Sequence, residues 1–489
     1  MPVPASERLP AAWYWSLAGV TLVGAVTRII ALNSGMWIDE IYSLVRSFRE
    51  PLGTILTDYW GDTHHPFYAV LAHASRGLFG EAPWTVRLPS ALFGIATIPL
   101  LAVLARRVVP AREALLAALL LAVSYHHVWF SQNARGYTAI ACFTVLAMLF
   151  AMRGLRSGRA ADWGAYALVA ALGAYTHLTM VFVVIGHAAA VAIEGLRRSR
   201  MEGAAIPWRA AALGLLASGA LTVLFYAPML TGVVSFFTET RSRLEGVSTP
   251  GWAALETLRV LALGMSGGVA AVGAVVAVAG LAIAVLGGWS IARRSPLFML
   301  LLIAPIGATL AGAAVARGTL YPRFFFFAIG PALVIAVHGT FVAAEWIAAR
   351  LLSAPERGPA LGTAASAFAI VMSVLTLPLN YRYPKQDFGG AMVYVSGARA
   401  ADDLVASTGV PNDPYRTLYG RDWPNITTVE ELRRLRAGRR VWVLFTFPRY
   451  IAARTPELAR VLDAECGAIR IFRGTVSGGD IQVCVLSRQ

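Results

Sequence analysis

Mostly apolar stretches separated by polar joints fill the first 380 positions: 11–32, 85–107, 112–130, 136–152, 162–177, 178–194, 209–229, 266–291, 296–315, 324–347 and 360–379. A helix needs about 20 apolar residues to cross a hydrocarbon core of ~30 Å. The pattern therefore predicts an all-α polytopic membrane unit over residues 1–380, with about 11 transmembrane helices. The fifth and sixth stretches are short. Arg153/Arg156/Arg159 and Arg197/Arg198/Arg200 bracket them, and basic clusters of one kind belong on one side of a membrane. Two crossings that reverse near Tyr175–His177 satisfy that condition, and one long helix does not.

Arg106, Arg107, Arg112, Arg293, Arg294, Arg350 and Arg357 occupy alternate joints with those clusters, which makes those joints cytoplasmic. Arg8 places the N-terminus on the same side, and an odd number of crossings places the C-terminus outside. Two outer loops are then long. The first, about 33–84, carries amphipathic pieces at Ile41–Phe48 and Phe67–Phe79 suited to lying along the interface. The second, about 230–262, holds Glu239, Arg241, Arg243 and Glu245. After Leu379 the apolar runs shorten to strand length. Val441–Phe447 and Ile481–Leu486 read as strands, Thr428–Arg436 and Pro456–Ala464 as helices. Residues 381–489 thus predict a small extracytoplasmic α/β domain.

Composition agrees with this division and narrows the partners. Of 489 residues 57% are hydrophobic and 14% charged, with a mean hydropathy of +0.61, against about 25% charged in soluble domains. The net charge of +15 is spread in twos and threes between apolar runs, so it marks topology and not a phosphate-tracking surface. No nucleic-acid partner is expected. Cys142 lies in an apolar span and reads as a packing residue. Cys466 and Cys484 fall in the outer segment, where they make either a disulfide or two separate buried thiols.

Polar residues at the outer ends of the spans carry the candidate chemistry, because unpaired charge there is costly. Asp39 and Glu40, in Trp37-Ile38-Asp39-Glu40, suit proton abstraction, cation binding or simple capping of the following helix. Asp62, His64 and His65 open a segment continuing to Pro66, Phe67 and Tyr68, and suit metal ligation, proton transfer or a plain turn. Arg135, in Ser131-Gln132-Asn133-Ala134-Arg135-Gly136-Tyr137, and Arg323, after Tyr321-Pro322, suit bidentate phosphate contact or snorkelling. His177 completes the set. The topology brings all of them to one face. Snorkelling gives no reason for acids, histidines and arginines to gather there, whereas a lipid-phosphate sugar has an anionic leaving group for cations and an acceptor hydroxyl for a base.

The order of these motifs resembles that of polyprenyl-phosphate-dependent glycosyltransferases of the GT-C superfamily, family 39-like, similar to protein O-mannosyltransferases and the lipid A aminoarabinose transferase. Trp37–Ser43 resembles their first outer loop. His64-His65-Pro66-Phe67-Tyr68 is similar to their His-Pro-Pro-Leu-Tyr motif, and Arg87-Leu88-Pro89-Ser90 to the start of their second span. Ser131–Tyr137 resembles their Ser-Gln-Glu-Ala-Arg-x-Tyr element. The resemblance covers residues 11 to about 400. It departs at His65, where the relatives carry proline, and at Asn133, where they carry an acid.

The resemblance implies a GT-C fold, inverting transfer with Asp39 as base and Glu40 in support, and donor-phosphate contacts from His64, Arg135 and Arg323. Asp62, His65, Tyr68, Tyr137 and His177 are further substrate or metal candidates, and a divalent metal serves many relatives. The expected activity is transfer of a sugar from a polyprenyl-phosphate donor to a lipid, glycan or protein hydroxyl outside a bacterial inner membrane. The alternative is a transporter or flippase of lipid-linked sugar. Transporters commonly show inverted repeats and broken helices at mid-membrane; this chain shows no repeat and keeps its polar residues at one face.

Overall fold

A computed structural model describes residues 10–61, 63–203, 206–240, 270–316, 321–467 and 469–488. Within it, helices cover each predicted span. Seven are long and apolar enough to cross a membrane singly: Pro83–Ala105, Tyr137–Ser157, Thr179–Met201, Trp208–Phe236, Pro296–Val315, Pro322–Arg350 and Pro355–Arg382. The pair Ala111–Ala122 and Tyr125–Ser131, bent by 55°, makes an eighth if taken as one span. Helices also lie over the predicted spans 11–32, 162–177 and 266–291, at Ala11–Ile29, Ala160–Thr176 and Ala270–Arg294. The chain breaks at His177–Leu178 between Ala160–Thr176 and Thr179–Glu202, where the basic clusters required a reversal. Arg241, Arg243 and Glu245 of the second outer loop lie outside the described residues.

Taken in order, the elements that shape the functional end are α1 (Ala11–Ile29), α2 (Ile38–Ser43), α3 (Leu52–Thr57), α4 (Pro66–Phe79), α5 (Pro83–Ala105), α6 (Ala111–Ala122), α7 (Tyr125–Ser131), α8 (Tyr137–Ser157) and α9 (Ala160–Thr176). A wider, π-helical turn, Leu44–Phe48, continues α2. The break between α6 and α7 frees carbonyls that a helix would otherwise use. The buried Arg28 of α1 takes them: Nη1 donates to Ala122 O at 2.9 Å and Nη2 to Leu121 O at 3.3 Å, while Nε reaches Ser131 Oγ at 3.1 Å. Gln132 then ties the following loop to the end of α1, donating to Arg28 O at 3.0 Å and accepting from Asn380 Nδ2 at 2.7 Å. The loop that carries Arg135 is thereby anchored to the first and last spans.

The C-terminal segment builds a five-stranded sheet from β1 (Leu404–Thr408), β2 (Asn425–Ile426), β3 (Val441–Phe445), β4 (Ile469–Phe472) and β5 (Ile481–Leu486), in the order β2-β1-β3-β5-β4. The first three strands run parallel, and β5 pairs antiparallel with both β3 and β4. Cys466 and Cys484 are joined, with Cα atoms 5.4 Å apart.

One core is shared between the sheet and the first outer loop. Ile41, Leu44, Phe48 and Tyr68 pack in the same buried cluster as Phe388, Val405, Trp442 and Val483. The apolar side of Ile41–Phe48, expected to lie along the membrane interface, is instead covered by protein. Surface of this kind is worth about 25 cal/mol per Å² when buried, so the sheet and the loop hold each other in place.

Candidate active site

The two adjacent carboxylates take opposite roles because successive residues of a helix point about 100° apart. Glu40 turns inward and is fully buried. Arg87 from α5 grips it with two parallel bonds, Nε to Oε1 at 2.8 Å and Nη2 to Oε2 at 2.7 Å. The Ala134 N–H donates to Oε1 at 2.7 Å, and the Trp37 N–H to Oε2 at 3.2 Å. Burial alone would raise this carboxyl, but Arg87, Lys385 and the Ala134 amide hold it below the usual range. Both oxygens are committed. The rest of the Arg87 guanidinium secures the preceding turn, donating to the carbonyls of Leu32 and Ser34 at 2.8 Å each.

Asp39 faces the other way, with its side chain 15% exposed and Oδ2 3.7 Å from Arg323 Nη1. Arg323 opens the span after Tyr321 and stacks over that ring at 4.3 Å. A carboxylate at the outer end of the bundle thus meets a cation from a helix almost three hundred residues away in the chain. Both side chains are partly exposed, Arg323 at 26% and Asp39 at 15%.

Arg135 is 1% exposed and reaches across to α2: Nη1 donates to Thr63 O at 2.6 Å and to Ser43 Oγ at 3.2 Å. Ser43 Oγ in turn donates to Asp39 O at 2.8 Å. Beside Arg135 lie three histidines. The Gly136 N–H donates to His65 Nδ1 at 2.8 Å, and the His65 ring meets His177 edge-on at 4.7 Å and Tyr137 at 5.4 Å. A Cβ at Gly136 would clash with Thr176 Cγ2 and stand 3.0 Å from His65 Nδ1, so this approach needs glycine. His64 stacks on Trp60 at 5.4 Å. Burial, then the Arg135 charge, lowers His64 to about 4 and His177 to about 3, and pushes His65 well below its ordinary value. All three rings are neutral near pH 7, which makes them hydrogen-bonding groups and not cations.

Of the further candidates, Tyr137 lies at the centre of the aromatic cluster, 5.9 Å from the Arg135 guanidinium carbon. Tyr68 is 1% exposed and its hydroxyl donates to Val86 O at 2.7 Å, within the core of the outer loop. Asp62 lies outside the described residues. Among the described residues no three His, Cys, Asp or Glu side chains come together as a metal-ligand set. Of the donors here, His65 Nδ1 accepts from Gly136 and Glu40 is gripped by Arg87, while both ring nitrogens of His64 have no hydrogen-bond partner.

Two residues that no motif singles out build this site from the C-terminal side. Gln386 accepts from the Ile38 N–H at 2.9 Å and donates to Gly479 O at 3.0 Å and Thr446 Oγ1 at 3.4 Å, bridging the start of α2 to the sheet. Lys385, also buried, donates to Trp129 O at 3.1 Å and sits 4.0 Å from that ring's centroid. Burial lowers its ammonium well below the usual range, against the pull of Glu40.

This architecture is the GT-C glycosyltransferase fold, in a multi-pass membrane protein. ArnT from Cupriavidus metallidurans bound to undecaprenyl phosphate superposes with a TM-score of 0.53 at 15% identity, over 97% of this chain and 98% of that one. The oligosaccharyltransferase AglB from Archaeoglobus fulgidus, in complex with an inhibitory peptide and a dolichol-phosphate, gives 0.55 at 12% identity, over 96% and 74%. By sequence, residues 63–226 match the family described as dolichyl-phosphate-mannose-protein mannosyltransferase. That stretch holds His64, His65, Arg87, Arg135 and His177; Asp39 and Arg323 lie outside it. No curated protein sequence matches the chain.

Proposed function

We propose that the protein moves a sugar from a polyprenyl-phosphate donor to an acceptor hydroxyl, inverting the anomeric carbon, at the outer face of a bacterial inner membrane. The observation that carries this reading is the accessible Asp39 carboxylate set 3.7 Å from Arg323, on the same helix turn that Arg135 reaches through Ser43. Asp39 takes the proton of the acceptor hydroxyl. The acceptor oxygen forms its bond to the anomeric carbon from the face opposite the phosphate. The bond from that carbon to the phosphate oxygen breaks, and its electron pair leaves with the polyprenyl phosphate. Base assistance of this kind contributes roughly 10²–10⁴ in rate, and cations aimed at the departing charge contribute several kcal/mol.

Arg323 and Arg135 would stabilise that departing phosphate, and neutral His64 would add a hydrogen bond. Glu40 supports from behind, by holding the N-terminus of α2 against Arg87 and the Ala134 amide. The ArnT and AglB structures that share the fold each contain a polyprenyl-type phosphate, which supports a lipid-phosphate donor here.

The test is a purified, reconstituted protein given a polyprenyl-phosphate sugar labelled in the sugar, with release of free polyprenyl phosphate as readout. Acceptor-dependent release is expected. Label that crosses the bilayer still joined to its carrier, with no release, would overturn the reading in favour of transport.

A further inference from the structure

The first outer loop contains a cleft that the transfer step as described leaves unused. It measures about 380 Å³ and opens between the π-helical turn after α2 and the segment that runs from α3 to His64. Arg46 and Glu50 line it from the first side, Thr54 and Asp58 from α3 and its end. Sites for small ligands run from roughly 300 to 1,000 Å³, so this volume suits one compact polar unit.

The charges around the cleft are uncommitted. The ion pairs nearest in the chain join Arg49 to Glu81 and Asp39 to Arg323, which leaves Arg46, Glu50 and Asp58 without one among the described residues. Asp58 accepts only from Thr57 Oγ1, at 3.0 Å. The Arg46 guanidinium carbon lies 5.0 Å from the Tyr42 ring centroid and 5.9 Å from that of Trp60. Two carboxylates against one guanidinium make the cleft anionic on balance, which disfavours the donor phosphate. Carboxylates accept, a guanidinium donates, and the Thr54 hydroxyl does both. A ligand whose several hydroxyls each give and accept satisfies all of them. A peptide main chain seeks a strand edge, and none of the lining residues belongs to a strand.

One continuous face joins this cleft to the base. Asp39, Tyr42 and Arg46 follow each other at spacings of three and four residues, as neighbours on a helix surface do. The contact of Arg46 with the Tyr42 ring carries that face through the π turn. About 10 Å of helix separates Asp39 from Arg46, farther than one sugar ring spans. On the way, Tyr42 donates to Asp413 Oδ2 at 3.3 Å, so the C-terminal helix Asn412–Thr417 borders the same path.

We propose that the cleft between Arg46, Glu50 and Asp58 is the acceptor subsite, and that it holds a sugar unit of a neutral oligosaccharide whose neighbouring unit presents its hydroxyl to Asp39. Hydroxyls of the bound unit donate to Glu50 and Asp58 and accept from Arg46. The inference rests on the transfer reading above and narrows the acceptor to a glycan.

Glu50→Gln and Asp58→Asn each remove a charge from the cleft while keeping its shape, and neither residue takes part in an ion pair. Binding to the purified full chain is measured with neutral trisaccharides of mannose, glucose, galactose and N-acetylglucosamine, with a serine-rich peptide, and with bare polyprenyl phosphate. Wild type should bind at least one trisaccharide. Each variant should weaken that binding roughly 10-fold, with affinity for polyprenyl phosphate and the unfolding midpoint unchanged. Absence of binding by every trisaccharide overturns the subsite, as does binding that both variants leave intact. An equal loss for trisaccharide and polyprenyl phosphate also overturns it, by placing the effect on the donor or on folding. Binding of the peptide alone, with the same sensitivity to the two variants, overturns the glycan. Failure of wild type to bind polyprenyl phosphate would instead overturn the donor reading itself.

Discussion

At the scale of single residues, the informative contrast is between Asp39 and its neighbour Glu40. Removing one partner of a buried ion pair costs about 3–5 kcal/mol, because the other charge is left uncompensated. Glu40→Gln is therefore expected to lower the unfolding midpoint markedly and to reduce the yield of folded protein, as Arg87 is left buried opposite an amide. Asp39→Asn should leave that midpoint nearly unchanged. Thermal unfolding of the two variants side by side checks this, and equal destabilisation would refute the division of roles. The sequence exposed both carboxylates but not which one was free, since the partner that captures Glu40 is 47 residues away. Asp39, Arg135, Arg323, His65, His177 and Tyr137 were legible as a group because topology alone puts them at one end. The bond from Tyr68 to Val86 O was not legible, since nothing local marks which carbonyl a tyrosine hydroxyl will find.

The histidines also predict a dependence on pH with a definite sign. His64 titrates at about 4 in the folded chain and at 6.5 when unperturbed. Between those values the unfolded chain binds a proton that the folded one does not, so stability rises with pH there. The contribution is complete above about pH 6.5 and is lost as pH falls toward 4; His65 and His177 act in the same direction and further down. Unfolding midpoints taken from pH 7 to pH 4 should fall steadily, and His64→Gln should flatten the upper part of that slope. A midpoint that holds or rises on acidification would contradict the buried, neutral state of these rings.

Among the elements, the sheet and the short helix α2 are the coupled pair. Each apolar run in the first 380 residues became a helix, and the strand-length runs at Val441 and Ile481 became strands, because period and length are local properties. The docking of the sheet onto the outer loop was not legible. It joins Ile38 to Gln386, 348 positions apart, and no local pattern records such a distance. The amphipathic face of Ile41–Phe48 was visible, but its cover was the sheet and not lipid. Gln386→Ala removes the bridge to Ile38, Thr446 and Gly479. Its expected effect is faster hydrogen exchange over residues 37–43 and a drop in turnover, with donor affinity changed less because Arg135 also donates to Thr63 O, outside α2. Unaltered exchange in α2 would show that the sheet does not position it.

For the whole molecule, the bundle supplies a fixed rim and the chemistry is assembled on it from distant parts of the chain. The anchored loop after α7 brings Arg135, the break at His177 brings a histidine, and a much later span brings Arg323 against Asp39. The most direct test of this arrangement is single-turnover release of polyprenyl phosphate from labelled donor by wild type and by Asp39→Asn, at equal amounts of folded protein. The expected result is a loss of about 10²-fold or more in the variant, consistent with removal of a general base, with donor binding retained. Turnover by Asp39→Asn within a few-fold of wild type would contradict the account.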